Sequence, residues 1–548
     1  MLSTTVLASE TESARSRRWG LWLFFVALMP ALTAIWATPW FVTQDGPAHL
    51  YNAQIIARSF DSQSQFNAIY QVSWVPLPNW VGHLTLAGLL QIISARVADR
   101  IMTTLTLVGF AASIVWLRWR VVGWRGMPLA ALLAVLLALN LPWLLGFTSF
   151  MLGACLFPIT LGIWWHGRER LWPRRVAVLW ALVVLGYFSH LVSLGLTVVG
   201  LAVLALFAPG ERRFARAGWT ALGLVPLVPL GSIYLGLTRK GGAMQPVWKH
   251  LTDPLSLHSW HAQLSWADPI SLASKFILPF HNGSSPGFAI LTPLIAFAMA
   301  LILEGITMAR VRWSSRPRSP STWPDRHGWG VLAAVLILGG VAGPDTLGES
   351  HGNYLPQRVL LFGLVALVPL LDLEAKTWTG RAAALVLVWA VAIQSAFLWE
   401  YAATSNRNVV ALLKARTAIG SNQRVATLLM GIPSRFRSNS ILHADNLLGV
   451  DTGNIIWNNY ETRHYYFPVQ FHPELDRPDS EMLELLALHD DPDEGGYRAF
   501  LWRHELEAHH RSIDALLTWG KNPELDQISD RWFKPVYENG NVRVLRHR

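Results

Sequence analysis

The residues best suited to catalysis lie in the stretch 43–52, where an ionisable carboxylate follows directly on an apolar segment. Asp45 is followed by a Gly-Pro pair and, four residues later, by His49. This spacing predicts a turn that leads into a helix, with both side chains on the same side. Two interpretations of Asp45 stay open: it caps the helix, or it is a general base that takes a proton from a substrate. His49 would then orient Asp45 or bind phosphate; the alternative is that it is only a polar residue on a surface helix.

The composition is that of a membrane protein with many spans. Of the 548 residues, 52% are hydrophobic and only 15% are charged, which is more apolar surface than one soluble core can bury. The formal net charge of +10 does not indicate nucleic-acid binding, because the Arg residues occur in short clusters between apolar runs. The single cysteine, Cys155, excludes disulfide bonds within the chain and metal sites built from several cysteines.

The basic clusters predict the orientation of the chain. Loops rich in Arg alternate with connections that contain neither Lys nor Arg, which places the Arg-rich loops in the cytoplasm. These loops lie at residues 118–125, 166–175, 209–218, 309–328 and 374–381. The alternation holds only if the short apolar segment 81–94 is a re-entrant or surface helix. Whether that segment spans or lies on the membrane is left open.

Eleven crossings are predicted between a cytoplasmic N-terminus at residues 1–18 and a C-terminal domain at residues 401–548. They lie within a transmembrane domain at residues 19–400, roughly at 19–40, 97–117, 128–145, 147–165, 176–190, 191–208, 219–236, 287–308, 329–343, 358–373 and 381–399. The odd number places the loops 41–96 and 237–286 and the C-terminal domain outside the cytoplasm. The predicted location is the cell inner (cytoplasmic) membrane, with the C-terminal domain periplasmic or extracellular.

Within the first outer loop, apolar residues recur at helical spacing from Leu50 to Phe60, opposite Gln54 and Arg58. This pattern predicts an amphipathic helix that lies along the membrane surface.

Beyond Glu400 the composition becomes that of a small soluble α/β domain. The predicted elements are a helix at 408–419, strands at 424–430 and 513–519, a helix at 522–530, and a β-hairpin with Asn539-Gly540 at its tip. The segment contains no Gly-rich phosphate loop.

Three short stretches resemble the GT-C superfamily of integral-membrane glycosyltransferases, which includes protein O-mannosyltransferases and aminoarabinose transferases of lipid A. The stretches are Gln44-Asp45-Gly46-Pro47-Ala48-His49, Gly186-Tyr187-Phe188-Ser189-His190 and Tyr354-Leu355-Pro356-Gln357-Arg358. The layout is also similar, with one N-terminal crossing, a long outer loop, many further spans and a small outer domain. The resemblance implies a polytopic α-helical, GT-C-like membrane protein with about 11 transmembrane helices. Many relatives have an acidic pair in the first outer loop, whereas here Gln44 precedes a lone Asp45.

The resemblance implies a sugar donor carried on a polyprenyl phosphate, with Asp45 as the acidic residue of the first outer loop. Arg358 is predicted to hold the donor phosphate, because Arg binds phosphate oxygens in a fork and this one lies at the outer end of a span. The alternative for Arg358 is an arginine that only snorkels to the interface. His49 and His190 are further candidates for substrate binding, and Lys240 for attracting anionic head groups.

No cofactor is predicted, although a divalent metal stays open. His258 and His261 have an i, i+3 spacing, but no third ligand of fixed geometry accompanies them.

The resulting hypothesis is an inverting glycosyltransferase that acts outside the cytoplasmic membrane on a lipid, glycan or protein acceptor. Its other partners would be membrane lipids, and nucleic acid is excluded. The alternative is a transporter or flippase of lipid-linked saccharides. The sequence shows no internal repeat, which makes a transporter the weaker hypothesis.

Overall fold

The structure is a computed structural model that describes residues 2–169, 173–210, 213–240, 323–343, 354–371, 374, 376–432, 434–488 and 501–548, with four isolated positions between 299 and 306. The predictions for the crossing 287–308, for nearly all of the loop 237–286 and for His258 and His261 lie outside these residues.

Helices make up most of the described chain. In chain order those before residue 241 are α1 (Leu2–Ala37), α2 (Gly46–Arg58), α3 (Phe66–Ile69), α4 (Trp80–Leu89), α5 (Ala95–Val122), α6 (Met127–Ala138), α7 (Leu141–Leu144), α8 (Thr148–Gly167), α9 (Pro173–Ser189), α10 (Leu191–Phe207), α11 (Arg213–Gly223) and α12 (Leu227–Lys240). Those after residue 322 are α13 (Trp323–Ala342), α14 (Leu355–Leu367), α15 (Trp378–Leu413), α16 (Arg416–Ile419), α17 (Ser480–Leu488), α18 (Leu501–His509) and α19 (Pro523–Ser529).

Several of these helices are suited to a membrane. Within the described ranges, four segments are long and apolar enough to cross one, and a fifth arises if the bent pair α11–α12 is counted as one span. The four are Ser13–Ala37, Ala95–Val122, Thr148–Gly167 and Trp378–Ile419. The predicted count of eleven crossings stays a prediction.

Two of the predicted crossings are interrupted. The crossing 128–145 divides at Asn140, whose side-chain oxygen accepts a hydrogen bond from the Trp143 amide and so starts a new helix. The crossing 219–236 bends by 50° between α11 and α12. Pro226 lies at that break, and its ring nitrogen cannot donate to a helical hydrogen bond. In both cases one polar or cyclic residue changes an otherwise apolar run.

Helix α4, which has 10 residues, begins one residue before the ambiguous segment 81–94 and covers the first part of it. A helix of that length is about 15 Å long, whereas the hydrocarbon core of a membrane is about 30 Å thick. Helix α4 is therefore too short to cross by itself.

The chain forms two compact units. The first unit comprises the described residues of Met1–Thr33, Thr104–Trp143 and Ser149–Trp399. The second unit comprises those of Ala34–Thr103, Leu144–Thr148 and Glu400–Arg548. Residues 41–96, the predicted first outer loop, thus fold together with the C-terminal segment. The predicted domain boundaries stay a prediction.

Every strand within the described residues lies in the second unit. They are β1 (Tyr70–Val72), β2 (Arg424–Leu429), β3 (Ile455–Ile456), β4 (Val469–Phe471), β5 (Ala515–Trp519), β6 (Phe533–Asn539) and β7 (Val542–His547). A five-stranded sheet has the order β3-β2-β5-β7-β6, with β2 parallel to β3 and β5 and the other pairs antiparallel. The predicted strands and the β-hairpin are confirmed, but the tip of the hairpin lies one residue later than predicted. Asn539 pairs with Val542, so the two turn residues are Gly540 and Asn541, and Gly540 has the left-handed φ of +60° that such a turn uses. The pairing of β1 with β4 was not predicted.

Helix α2 is buried at every residue from 46 to 56. The one-sided pattern predicted for it is not observed. The side-chain oxygen of Gln54, expected on the polar face, accepts a hydrogen bond from the Asp451 amide. Tyr51 donates to the Asn454 carbonyl at 2.8 Å. The difference arises because the polar partners of α2 come from a segment about 400 residues later in the chain.

Candidate active site

Asp45 lies immediately before helix α2, but its side chain does not cap the helix. Among the described residues, no amide of the first helical turn donates to the carboxylate, so side-chain capping is the wrong interpretation. The backbone of Asp45 is held from outside the helix, because its amide donates to the Leu145 carbonyl at 3.0 Å. The carboxylate is buried, and burial raises its pKa, although His443 and His49 oppose this shift. A buried carboxylate with increased proton affinity suits a general base.

Gly146 packs closely against this turn. It has φ +83°, and a Cβ atom there would lie 2.6 Å from Thr43 Oγ1 and 2.9 Å from the Asp45 nitrogen. Residues with a side chain rarely adopt this backbone conformation, and the second of these contacts is with backbone, which cannot rotate away. The position of Asp45 therefore depends on a glycine that lies about 100 residues later.

His443 places its imidazole between two buried carboxylates. The Nε2 atom lies 3.5 Å from Asp45 Oδ1 and 3.9 Å from Glu484 Oε1. The ring stacks on Tyr460 with a centroid distance of 4.3 Å. Burial lowers the pKa of His443 to about 4, with Asp45 opposing the shift. A neutral imidazole can hold a carboxylate by a hydrogen bond without the full positive charge that would weaken it as a base.

Glu461 joins two histidines from different helices. Its Oε1 atom lies 2.5 Å from Nδ1 of His49 on α2, and its Oε2 atom lies 2.7 Å from Nε2 of His83 on α4. Burial would raise the pKa of Glu461, but the two histidines lower it to about 2. Burial likewise opposes the charged form of His49, yet Glu461 raises the pKa of His49 above its usual value. The carboxylate is therefore ionised and pairs with positive charge.

One short 3₁₀ turn, which begins at Tyr460, carries several of these contacts. Tyr460 supplies the stacking surface for the imidazole of His443. Glu461 binds the two helix histidines, and Arg463, at the end of the turn, pairs with Glu484. Three residues of this four-residue turn thus position the charged groups around Asp45.

The turn is attached to helix α2 by a reciprocal pair of amides. Asn52 donates to the side-chain oxygen of Asn459 at 2.9 Å, and Asn459 donates to that of Asn52 at 2.9 Å. Both side chains are fully buried. Two mutual hydrogen bonds fix the distance between helix and turn, and hence the distance from His49 to Glu461.

A second group of predicted residues lies in the first unit. Arg358, in the first turn of α14, places Nη1 3.3 Å from Nε2 of His190 and its guanidinium 5.0 Å from the centre of the Phe150 ring. His190 precedes α10, and its Nδ1 accepts a hydrogen bond from the Val192 amide at 3.1 Å. Because Nδ1 accepts, the neutral ring carries its proton on Nε2. Two donors then face each other, an arrangement that a bound anion would satisfy.

The remaining predicted site residue, Lys240, is the last residue of α12; its side chain lies outside the described part of the chain. No role was predicted from the sequence for three residues of this site, His443, Glu461 and Glu484. The residues next to each of them form no motif and no spacing that indicates a functional site. His83 lies in the apolar segment 81–94, and no role was predicted for it.

No family model and no curated protein matches the sequence. Solved structures do match. ArnT from Cupriavidus metallidurans bound to undecaprenyl phosphate is 12% identical, with a TM-score of 0.51 over 96% of this chain and 97% of that one. The chain has the fold of the GT-C glycosyltransferases. The arabinofuranosyltransferase AftD from mycobacteria is 15% identical, with a TM-score of 0.46 over 97% of this chain and 40% of that one.

The GT-C fold confirms the resemblance that was recognised from three short stretches and a layout of spans. At 12% identity the likeness to ArnT concerns the fold alone. The chemistry of this chain has to be argued from its own side chains.

Proposed function

We propose that the protein is a membrane glycosyltransferase that takes a sugar from a polyprenyl phosphate and transfers it, with inversion, to a hydroxyl group outside the cytoplasmic membrane. The observation that carries the proposal is Asp45, a buried carboxylate that leaves its helix uncapped and faces the imidazole of His443. The GT-C fold supports the same conclusion, since ArnT with that fold was solved with undecaprenyl phosphate bound.

Asp45 is the general base in this proposal. The acceptor oxygen attacks the anomeric carbon of the donor while the bond from that carbon to the phosphate oxygen breaks. The acceptor's proton passes to the Asp45 carboxylate, and the bonding electron pair leaves with the phosphate. One displacement on the opposite face inverts the anomeric centre. Burial favours this role because it makes the carboxylate a stronger base.

His443 is a positioning residue. Its neutral imidazole can donate from Nε2 towards Asp45 Oδ1, at 3.5 Å, while the stacked Tyr460 ring prevents it from turning. This contact orients one oxygen of the carboxylate and leaves the other for the acceptor hydroxyl.

Arg358 and His190 are proposed to bind the donor phosphate. Their facing N–H groups would both donate to one phosphate oxygen, and the Phe150 ring beside them supports the guanidinium. In the transition state, negative charge builds on that oxygen, so the two donors would stabilise the leaving group. Phosphate binding by His49 and steering of head groups by Lys240 stay predictions. The described hydrogen bonds of the His49 ring are with Glu461 and the Gly146 backbone.

The test uses purified full-length protein in nanodiscs with undecaprenyl-phosphate hexose and pentose donors. Cleavage of the sugar–phosphate bond, to water or to an added acceptor, is measured as release of undecaprenyl phosphate. We expect release with the parent and none above background with Asp45→Asn. Transfer of intact donor across a proteoliposome membrane without cleavage would instead identify a flippase.

A further inference from the structure

His49, His83 and Glu461 form a cluster with the donor atoms of a metal site. One imidazole nitrogen from each histidine and a carboxylate oxygen all lie within 4.8 Å of one another. The three residues are buried and come from α2, α4 and the 3₁₀ turn that begins at Tyr460. Two imidazoles and one carboxylate are a ligand set that binds zinc in many proteins, with one position left for water.

The hydrogen bonds of His83 determine which of its nitrogens carries a lone pair. Nδ1 lies 3.0 Å from the carbonyl oxygen of Asn79. A carbonyl only accepts, so Nδ1 carries the proton and donates. In the neutral ring Nε2 then has a lone pair, and it points at Glu461 Oε2, which is 2.7 Å away. Two acceptors at this distance require a cation between them, either a proton or a metal ion.

The second nitrogen of His83 is held as it is in known metal sites. A metal-bound histidine usually donates its other N–H to a backbone carbonyl or a carboxylate, which fixes the ring and its tautomer. The Asn79 carbonyl does this for His83, and the ring of His49 hydrogen-bonds the Gly146 backbone.

Distance and charge both permit an ion. Ligand atoms about 2.0–2.2 Å from zinc are about 3.3 Å from each other in a tetrahedral site. The present separations of 2.5 Å and 2.7 Å would have to increase by less than 1 Å. The charge of a divalent ion would be balanced by Glu461 and by Asp45, whose carbonyl accepts a hydrogen bond from the His49 amide.

We propose that a divalent transition-metal ion, best matched by zinc, binds between Nδ1 of His49, Nε2 of His83 and the carboxylate of Glu461. The ion joins the two helices of the first outer loop to the C-terminal segment and fixes the helical turn that follows Asp45. This site does not depend on the proposed glycosyl transfer, because it is defined by its ligands and is tested by metal content.

The experiment measures metal in the full-length protein purified in detergent without chelators. We expect elemental mass spectrometry to find about one zinc ion per chain. EDTA should remove the ion and lower the melting temperature of the protein, and added zinc should restore both the metal content and the melting temperature. Cobalt added to the stripped protein should give the visible absorption of a tetrahedral site with nitrogen and oxygen ligands.

Variants locate the ion. His83→Ala and Glu461→Gln should lose the metal, whereas His504→Ala, an exposed histidine of α18, should keep it. The double variant His258→Ala/His261→Ala should also keep it, because the proposed ligand set does not include those histidines.

Three results would overturn the proposal. The first is parent protein with no bound zinc, no cobalt absorption and a melting temperature unaffected by EDTA, which would identify the bridging cations as protons. The second is metal retained in both His83→Ala and Glu461→Gln. The third is metal lost only in the His258/His261 variant. If the cluster variants fail to fold, the cobalt spectrum of the parent decides alone.

Discussion

The two regions that contain the candidate site residues present opposite chemistry to a ligand. In the second unit, Nδ1 of His83 donates to a carbonyl, so the lone pair of Nε2 faces a carboxylate oxygen of Glu461. Two hydrogen-bond acceptors therefore point at each other. In the first unit, Nδ1 of His190 accepts a hydrogen bond from an amide, so the proton on Nε2 faces the guanidinium of Arg358. Two hydrogen-bond donors therefore point at each other. The same side chain, histidine, is set as an acceptor in one region and as a donor in the other. In each region one hydrogen bond to the backbone determines which ring nitrogen carries the proton. The resulting arrangement suits a cation in the second unit and an anion in the first.

The largest expected effect is on the rate of sugar transfer when Asp45, the proposed base in the second unit, is replaced. Asp45→Asn keeps the size of the side chain but cannot accept the proton, so the rate of sugar transfer should fall by about 10²–10⁴-fold. Donor binding and the melting temperature should stay close to those of the parent, because no capping hydrogen bond is lost. Initial rates and donor titrations on the same preparation measure both quantities. Full activity in Asp45→Asn would remove the residue from the mechanism.

A change at Glu461 should affect stability most strongly. Glu461→Ala leaves two buried imidazoles without their shared carboxylate, which should cost about 3–5 kcal/mol of unfolding free energy. Glu461→Gln keeps the shape and some hydrogen bonding, so it should cost clearly less, while it still loses any bound cation. Chemical or thermal unfolding in detergent compares the two. Equal stability of the alanine variant and the parent would show that the acceptors in this region do not need a cation.

The pair of donors in the first unit, Arg358 and His190, is tested by replacing the arginine. Arg358→Ala removes charge-assisted hydrogen bonds worth about 1.5–3 kcal/mol, which corresponds to a loss of undecaprenyl phosphate affinity of about 10–150-fold. Arg358→Lys should bind with intermediate affinity because it keeps the charge but loses the fork. His190→Phe is the matched variant, since it retains the packing on Phe150 and removes the second donor. Unchanged affinity in all three variants would exclude an anion site here.

The smallest expected effect concerns the backbone that holds Asp45. Gly146→Ala introduces a Cβ where only 2.6 Å is available to Thr43 Oγ1, in a left-handed conformation that costs an L-residue about 1–2 kcal/mol. We expect a modest loss of stability together with a loss of transfer rate, because the turn must shift. Gly123→Ala has a similar φ of +84° but open space around the Cβ, and it should cost stability without changing the rate. Equal losses of rate in both variants would contradict a specific role for Gly146.

The sequence was informative where chemistry and periodicity are local. The apolar runs, the Arg-rich loops, the C-terminal β-hairpin and the Asp45 stretch could all be recognised from neighbouring residues, although the hairpin turn was predicted one residue too early. Partners that come from distant segments could not be read in this way. Glu461 meets His49 across 412 residues of chain, and nothing in the residues around either one predicts the other. For the same reason the burial of α2 was missed.

The reciprocal amides of Asn52 and Asn459 have a consequence for the evolutionary record. Each amide offers one donor and one acceptor to the other, so a change at either position leaves the remaining amide buried and half satisfied. Substitutions at 52 and 459 should therefore occur together in aligned relatives. Positions 49, 83 and 461 should vary as a set in the same way. A collection of homologous sequences thus contains a record of these contacts, although any single sequence conceals them.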